Sequence, residues 1–321
     1  MSLAIRIIKS GPGSSVQDAG RFGFQDQGLS VGGAMDEYAS KWANVLLNNA
    51  PNLPLIEITL GNFEVEILKT VRIAITGAHK SFAINGQQVP GWASYQLKTG
   101  DRLLLDWCSS GLRSYLAIAG GFELESEFGS VSTVVRERIG GLDGGLLKEG
   151  DVLPNGNILH KHEALYSTPL DMIANYDVSI VVRVILGSQS HLFSPEALNT
   201  FFNSPYVISP KSDRMGIRLS GAIVDPPMAG ILSEGVPFGA IQIPPDGQPI
   251  IMMKDRQTLG GYPKLGAILP IDAFRLSQLT AGKSIRFSSV SIEAAQNIMI
   301  AQYTFFKSTA VKFRLEKQRN H

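Results

Sequence analysis

The sequence predicts a mainly β protein built from two related domains with a few short helices. Three observations carry that expectation. Strand-like runs are short and recur along the whole chain, 33 glycines and 17 prolines punctuate them, and two stretches of the first half are echoed in the second. Frequent turn residues favour many short strands over long helices.

The strand-like runs are Ile5 to Ile8, Phe63 to Leu68, Val71 to Ile75, Arg102 to Asp106 and Ser114 to Ala119 in the first half. Ser179 to Leu186, Ile241 to Ile243, Ile250 to Met253 and Ser284 to Phe287 follow in the second. Each is β-branched or alternating and is bounded by Gly, Pro, Asn or Asp. Helical patterns are fewer. Asp36 to Leu47 places Ala39, Trp42, Ala43, Leu46 and Leu47 on one face behind a capping aspartate. Ser194 caps a second helix that has Pro195 at its first position, and a third covers Ser291 to Phe305.

The echo supports duplication. Leu97-Lys-Thr-Gly100 with the run after it resembles Leu279-Thr-Ala-Gly282 with its own, and Ile56 to Gly61 resembles Ile241 to Gly247 at a similar offset. The expected domains are residues 1–175 and 176–321, with Gly120 to about Ala174 as an insertion or linker. A length of 321 residues suits two domains.

Composition excludes several classes. A net charge of +1 with interspersed signs lacks the cationic face that a phosphate backbone demands, so no nucleic-acid partner is expected. No uncharged apolar run reaches the ~20 residues of a membrane span, and the alternating Ile5-Arg6-Ile7-Ile8-Lys9 does not read as a signal peptide. The single cysteine, Cys108, cannot form an intrachain disulfide and reads as a structural thiol. A cytoplasmic protein with no membrane partner is the expectation.

Several familiar signatures are present only in fragments. Thr280-Ala-Gly282-Lys283-Ser284 ends like a phosphate loop, but Ser277 stands where the first glycine belongs and a strand follows instead of a helix. Gly11-Pro12-Gly13 lacks the third glycine of a dinucleotide fingerprint. His160-Lys-His162 has no nearby Cys or second His pair, so no metal site is expected. Lys254 follows two methionines, as a biotin-carrying lysine does, but Asp255 comes next and the run before it reads as a strand.

Three polar clusters remain. The first is Gln17-Asp18-Ala-Gly20-Arg21 with Gly33-Ala-Met35-Asp36. The second is Ser212-Asp213-Arg214-Met215-Gly216-Ile-Arg218, and the third gathers Gln242, Asp255-Arg256-Gln257-Thr258 and Gly260-Gly261-Tyr262. Guanidinium forks beside glycines suit planar anions, because glycine lets backbone approach closely. The rival reading of the first two is an Asx-turn with a surface arginine. Residues alone point to a polar cleft between or within two β domains.

The same words carry a resemblance. Ser15-Val-Gln-Asp-Ala-Gly-Arg21, Gly33-Ala-Met-Asp36, Leu55 to Gly61, Thr76-Gly-Ala78, Tyr115 to Gly121, Ser212 to Leu219 and Gly239 to Pro263 resemble the allophanate hydrolase subunit 2 family. That family is biotin-dependent carboxyltransferase-like and includes the C-type component of bacterial 5-oxoprolinase. The resemblance runs from about Ile8 to Phe287 and implies two cyclophilin-like β-barrel domains. It implies action with a subunit 1-type (B-type) protein and a lactam-utilisation (A-type) protein in the ATP-dependent conversion of 5-oxoproline to L-glutamate. ATP would be bound by, or shared with, a partner. Two alternatives come with the resemblance: the carboxyltransferase of a biotin-dependent urea or amide carboxylase, and a non-catalytic partner of a kinase inhibitor. The chain departs from the family pattern at Val131, where an arginine is usual, at His79 in place of an acidic residue, and at Gly144-Gly145 in place of Gly-Arg.

On this resemblance the expected substrate is a small amide or carboxylate. Arg214 and Arg256 are expected to bind its carboxylate or phosphate, and Gln242 and Gln257 to orient the amide. Asp36, Asp213 or Asp255 would serve as base or arginine positioner, and Tyr262 would close the pocket.

Overall fold

The computed structural model describes residues 2–156 and 164–319. The His160-Lys-His162 motif lies outside the described residues. The chain divides into two compact units: Met1–Arg21, Gly32–Tyr176 and Phe305–His321 form unit 1, and Phe22–Val31 with Asp177–Thr304 form unit 2.

Unit 1 holds β1 (Ser2–Ser10), β2 (Gly13–Gln17), α1 (Glu37–Val45), β3 (Leu55–Thr59), β4 (Phe63–Ile67), β5 (Val71–Gly77), β6 (Ser81–Ile84) and β7 (Gln87–Pro90). It continues with β8 (Ala93–Leu97), β9 (Arg102–Leu105), β10 (Arg113–Ile118) and β11 (Val152–Asn155). These form a six-stranded sheet in the order β11-β1-β4-β9-β6-β7 and a five-stranded sheet in the order β2-β3-β10-β5-β8. Alternation decides which side chains meet. In β4, Phe63, Val65 and Ile67 are fully buried and pack with Ile7, Leu103, Leu105, Ile73 and Leu116 in one apolar core.

Unit 2 holds β12 (Ile180–Leu186), α2 (Pro195–Asn203), β13 (Tyr206–Ile208), β14 (Gly216–Gly221), β15 (Glu234–Gly235), β16 (Ala240–Gln242) and β17 (Ile250–Met252). After these come β18 (Leu259–Gly260), β19 (Lys264–Ile268), α3 (Pro270–Leu276) and β20 (Ser284–Ser289); α4 (Ile292–Arg319) begins in unit 2 and, from Phe305 on, belongs to unit 1. Seven strands close a barrel in the order β12-β19-β16-β17-β14-β13-β20, and β15 and β18 form a small separate ribbon. The mainly β expectation is met. The strands close into a barrel in unit 2, whereas in unit 1 they hydrogen-bond as two sheets.

All nine strand-like runs fall on strands. Asp36 caps α1 by accepting from the Ala39 N–H at 3.1 Å, and Ser194 caps α2 by accepting from the Ala197 N–H at 3.1 Å. The third helix expected from the sequence runs further, to Arg319, and α3 has no side-chain cap to announce it.

The echoed turns are the same turn. Gly100 (φ 90°) and Gly282 (φ 86°) adopt the left-handed conformation that glycine tolerates, and each opens a strand. A third copy, Leu147-Lys-Glu-Gly150-Asp151-Val-Leu153, lies in the segment expected to be an insertion or linker. Gly150 again has φ 90°, and the Lys148 N–H donates to Asp151 Oδ2 at 2.7 Å as the Lys98 N–H does to Asp101 Oδ2 at 2.6 Å. The segment adds β11 to the six-stranded sheet and sends Phe122, Val131, Leu147 and Leu153 into the core of unit 1.

Candidate functional site

A cleft of about 770 Å³ opens on the barrel of unit 2. Its floor follows from strand alternation. In β14, Ile217 and Leu219 are buried, while Arg218 and Ser220 are exposed. Register carries one row across the sheet, with Arg218 opposite Ile250 on β17 and Ile250 opposite Gln242 on β16. All three line the cleft. Gly216 lies opposite Met252 and adds no side chain, and a Cβ there would come to 3.1 Å from Ile250 Cγ2.

Three turns supply the walls. The first contains Ser209, Lys211 and Asp213, whose Oδ1 accepts from the N–H groups of Met215 and Gly216 at 2.8 and 3.1 Å. That is the Asx-turn which the sequence offered as the rival reading of the second cluster. The second is Pro244-Pro245-Asp246-Gly247-Gln248, where Gly247 (φ 69°) has Val224 backbone and the Ile223 side chain against it. The third brings Gln257 and Tyr262 to the cleft.

Gln242 is the unusual group. It is 1% exposed, and its Nε2 is buried with no hydrogen-bond partner among the described residues. A buried amide left without a partner costs about 1–3 kcal/mol. Gly260 leaves room for it, since a Cβ at that position would stand 2.7 Å from Gln242 Nε2 and 3.6 Å from Gln257 Nε2. Two carboxamides therefore converge beside one glycine, and rotation of either amide exchanges donor for acceptor.

Arg214 and Asp255 do not line the cleft. They grip each other: Arg214 Nε donates to Asp255 Oδ2 at 2.8 Å, its Nη2 donates to Oδ1 at 2.9 Å, and the Asp255 N–H donates to the Arg214 carbonyl at 2.9 Å. This bidentate fork ties the second cluster to the third. Arg256 is also absent from the lining. Its Nε donates to the Val236 carbonyl at 2.8 Å, its Nη1 to the Met253 carbonyl at 3.2 Å, and its guanidinium lies 5.7 Å from the Phe238 ring centre. Burial lowers its pKa to about 10, which leaves it charged at neutral pH. Lys254 is 5% exposed and sits over the Phe238 ring at 4.8 Å, not at a hairpin tip.

Asp36 belongs to unit 1. Besides capping α1, it accepts from the Tyr176 hydroxyl at 2.7 Å. The Tyr115 hydroxyl donates to Glu57 at 2.9 Å and accepts from the Asp36 N–H at 2.7 Å. Burial, with nearby carboxylates, keeps both phenols protonated well above their usual range. The structure thus brings Asp213, Gln242, Gln257 and Tyr262 together at one cleft, sets Arg214, Asp255 and Arg256 in the framework of the same unit, and puts Asp36 in the other unit. Sequence reading missed Lys211 and Arg218 as cleft residues, although Arg218 lies within a cluster it singles out.

The departures from the family pattern are accommodated locally. Val131 is buried in the core of unit 1, and its N–H donates to Asp18. Gly144 (φ 74°) abuts the Arg138 backbone so closely that a Cβ would meet it at 2.2 Å. His79 accepts at Nδ1 from Ser114 Oγ (2.7 Å), and its Nε2 donates to the Asp106 carbonyl (2.6 Å). Cys108 Sγ is 3.5 Å from His79 Nδ1, so the fold supplies the histidine neighbour that the sequence could not locate. Burial nevertheless raises the thiol to about 11 and lowers His79, so the pair is a neutral thiol beside a neutral imidazole.

Comparison with known proteins agrees with this architecture. Residues 27–289 match the model of the carboxyltransferase domain, subdomain A and B. The chain is 37% identical to the C-type 5-oxoprolinase subunit of Escherichia coli over 97% of this chain and 99% of that one. It is 34% identical to the C-type 5-oxoprolinase subunit of Haemophilus influenzae, over 89% and 91% of the two chains. The solved structure of the K. lactis urea amidolyase superposes with a TM-score of 0.87 at 26% identity, covering 95% of this chain but only 20% of that longer one. Among the described residues no helix is long and apolar enough to cross a membrane. With more than half its length matched by one family model, and with full-length relatives above 30% identity, this chain belongs to the carboxyltransferase domain family of subdomains A and B.

Proposed function

We propose that the chain is the C-type component of an ATP-dependent 5-oxoprolinase, acting with a subunit 1-type (B-type) protein and a lactam-utilisation (A-type) protein. The observation that carries this reading is the 37% identity to a 5-oxoprolinase component of the same type across nearly the whole of both chains. The unit 2 cleft supports it. A buried carboxamide without a protein partner suits a ligand that presents an amide edge.

Opening an unstrained lactam requires activation of a poor electrophile, and ATP supplies this by phosphorylating the carbonyl oxygen. Thr280 to Ser284 turns into a strand rather than a phosphate loop, which is in keeping with a nucleotide held by a partner or at a shared site. In this reading Gln242 and Gln257 orient the amide, Tyr262 covers it, and Asp213, one of two carboxylates at the cleft, serves as base. Asp255 acts through Arg214, as an arginine positioner. Arg256 braces the turn from below.

The test is glutamate release from 5-oxoproline and ATP by the three proteins together, compared with mixtures lacking one. Full activity without this chain would sink the reading. The likeness to urea amidolyase favours a second reading, biotin-dependent carboxyl transfer, in which the same two carboxamides would face a ureido ring. Bicarbonate dependence and inhibition by avidin would select it.

A further inference from the structure

The row across the cleft floor has two unlike ends. Arg218 stands at one, Gln242 at the other, and the apolar Ile250 lies between them. Neighbouring strands are ~4.8 Å apart, so the backbones of Arg218 and Gln242 are separated by about 10 Å. Lys211, from the turn that precedes β14, joins Arg218 at the cleft, and both are exposed.

Neither Lys211 nor Arg218 makes an ion pair among the described residues, in contrast to the other guanidinium of the same cluster, Arg214. The acidic residues of the cleft are answered by backbone. Asp213 Oδ1 accepts from two N–H groups, and Asp246 Oδ1 accepts from the Gln248 N–H at 3.1 Å. The two cations are thus available to a ligand at one end, while at the other a buried amide lacks a partner among the described residues.

We infer that Lys211 and Arg218 form an anion subsite. The cleft selects a small ligand whose carboxylate or phosphoryl group is held there while its neutral amide edge meets Gln242 and Gln257. Arg214 and Arg256, already occupied by Asp255 and by backbone carbonyls, hold the walls instead. The choice of 5-oxoproline as probe rests on the function proposed above, whereas the subsite rests on the geometry of the cleft.

The experiment is equilibrium dialysis of the full chain, alone and in the three-protein complex, against 5-oxoproline and against 2-pyrrolidinone, the same lactam without its carboxylate. The wild type is expected to hold 5-oxoproline at least about tenfold more tightly, as one charge-assisted contact allows. Lys211→Gln and Arg218→Gln should each remove most of that preference while leaving 2-pyrrolidinone binding unchanged, and Gln242→Leu should weaken both ligands. Inorganic phosphate serves as competitor. Displacement of 5-oxoproline by millimolar phosphate in the wild type, lost in Arg218→Gln, would assign the subsite to a phosphoryl group, whereas preference without competition assigns it to a carboxylate.

The subsite is overturned if the wild type binds neither lactam, or if it fails to distinguish them and phosphate does not compete. It is equally overturned if both cation variants keep the full preference. Turnover separates the two proposals. An inactive complex with the binding preference intact removes the 5-oxoprolinase reading and leaves the subsite, while an active complex whose KM is unmoved by Arg218→Gln does the reverse.

Discussion

Two buried glutamines, one in each unit, are used in opposite ways. In unit 1 the conspicuous motif residues are consumed by the fold. Asp18 Oδ1 accepts from the Gly20 N–H and the hydroxyls of Ser130 and Ser132, and its Oδ2 accepts from the Val131 N–H, at 2.6–2.8 Å. Gln17, fully buried, donates to Ser15 Oγ and the Thr133 carbonyl and accepts from the Gly33 N–H. In unit 2 the equally buried Gln242 leaves its amide nitrogen without a partner among the described residues, at the edge of a cleft. Two glutamines of one burial class thus do different work. A buried polar group that the fold satisfies is used as structure, whereas an unsatisfied one at the edge of a cleft is placed to gain a partner from what enters it.

Exchanging the two kinds of site gives the largest expected effects. Gln242→Leu removes an unpaired amide, so stability should hold or rise by about 1 kcal/mol, while turnover of the reconstituted complex should fall by roughly 10²-fold. Asp18→Ala should do the opposite, costing on the order of 3 kcal/mol by stranding hydroxyl and backbone donors while leaving turnover per folded molecule unchanged. Denaturant unfolding and glutamate release, measured on both variants, check the crossed pattern. Equal effects on both readouts in both variants would dissolve the distinction between the two side chains.

The Arg214–Asp255 fork sharpens the comparison from within unit 2, because here a motif pair is structural although it lies next to the cleft. Both side chains are largely buried, at 18% and 9% exposure. Asp255→Ala removes the carboxylate that the largely buried guanidinium grips and should destabilise by ~3–5 kcal/mol, whereas Arg214→Met with Asp255→Met should recover much of the loss. Unfolding midpoints of the two variants decide this. A smaller effect is expected at Gly260. Gly260→Ala places a methyl against Gln242 Nε2 and Val236 Cγ2, at 2.7 and 2.9 Å, so KM should rise several-fold and the unfolding midpoint should fall with an overpacking cost of about 1–2 kcal/mol.

Much of this is legible in the sequence, and what is not has identifiable causes. Strand positions, the caps Asp36 and Ser194, and the echoed glycine turns follow from local patterns that tertiary packing does not override. The Gly150 turn is equally legible, but the rest of its segment shows no counterpart in the second half. Which motif residues face a ligand is not legible. Arg214 and Arg218 sit four residues apart in one word, yet the turn before β14 commits the first to Asp255 and strand alternation presents the second to the cleft. The Cys108–His79 approach joins residues 29 apart, across β6 to β9, and no local signal encodes it.

That approach yields the smallest expected effect and a clear sign. A thiol beside a histidine invites comparison with an activated nucleophile, but desolvation holds Cys108 at about 11 against an ordinary 9.0. Alkylation by iodoacetamide at neutral pH should therefore be much slower than that of a free thiol and should accelerate as pH rises toward about 11. Because the folded protein keeps this proton more tightly than the unfolded chain, the group's contribution to stability is fully present below about pH 9. It is lost as pH rises through about 11, where the folded thiol also ionises. Cys108→Ser should leave turnover unchanged at neutral pH and should flatten the alkaline loss of stability. Fast alkylation at neutral pH would mean that unit 1, too, keeps a half-buried group poised for chemistry, and Gln242 would not be alone in that role.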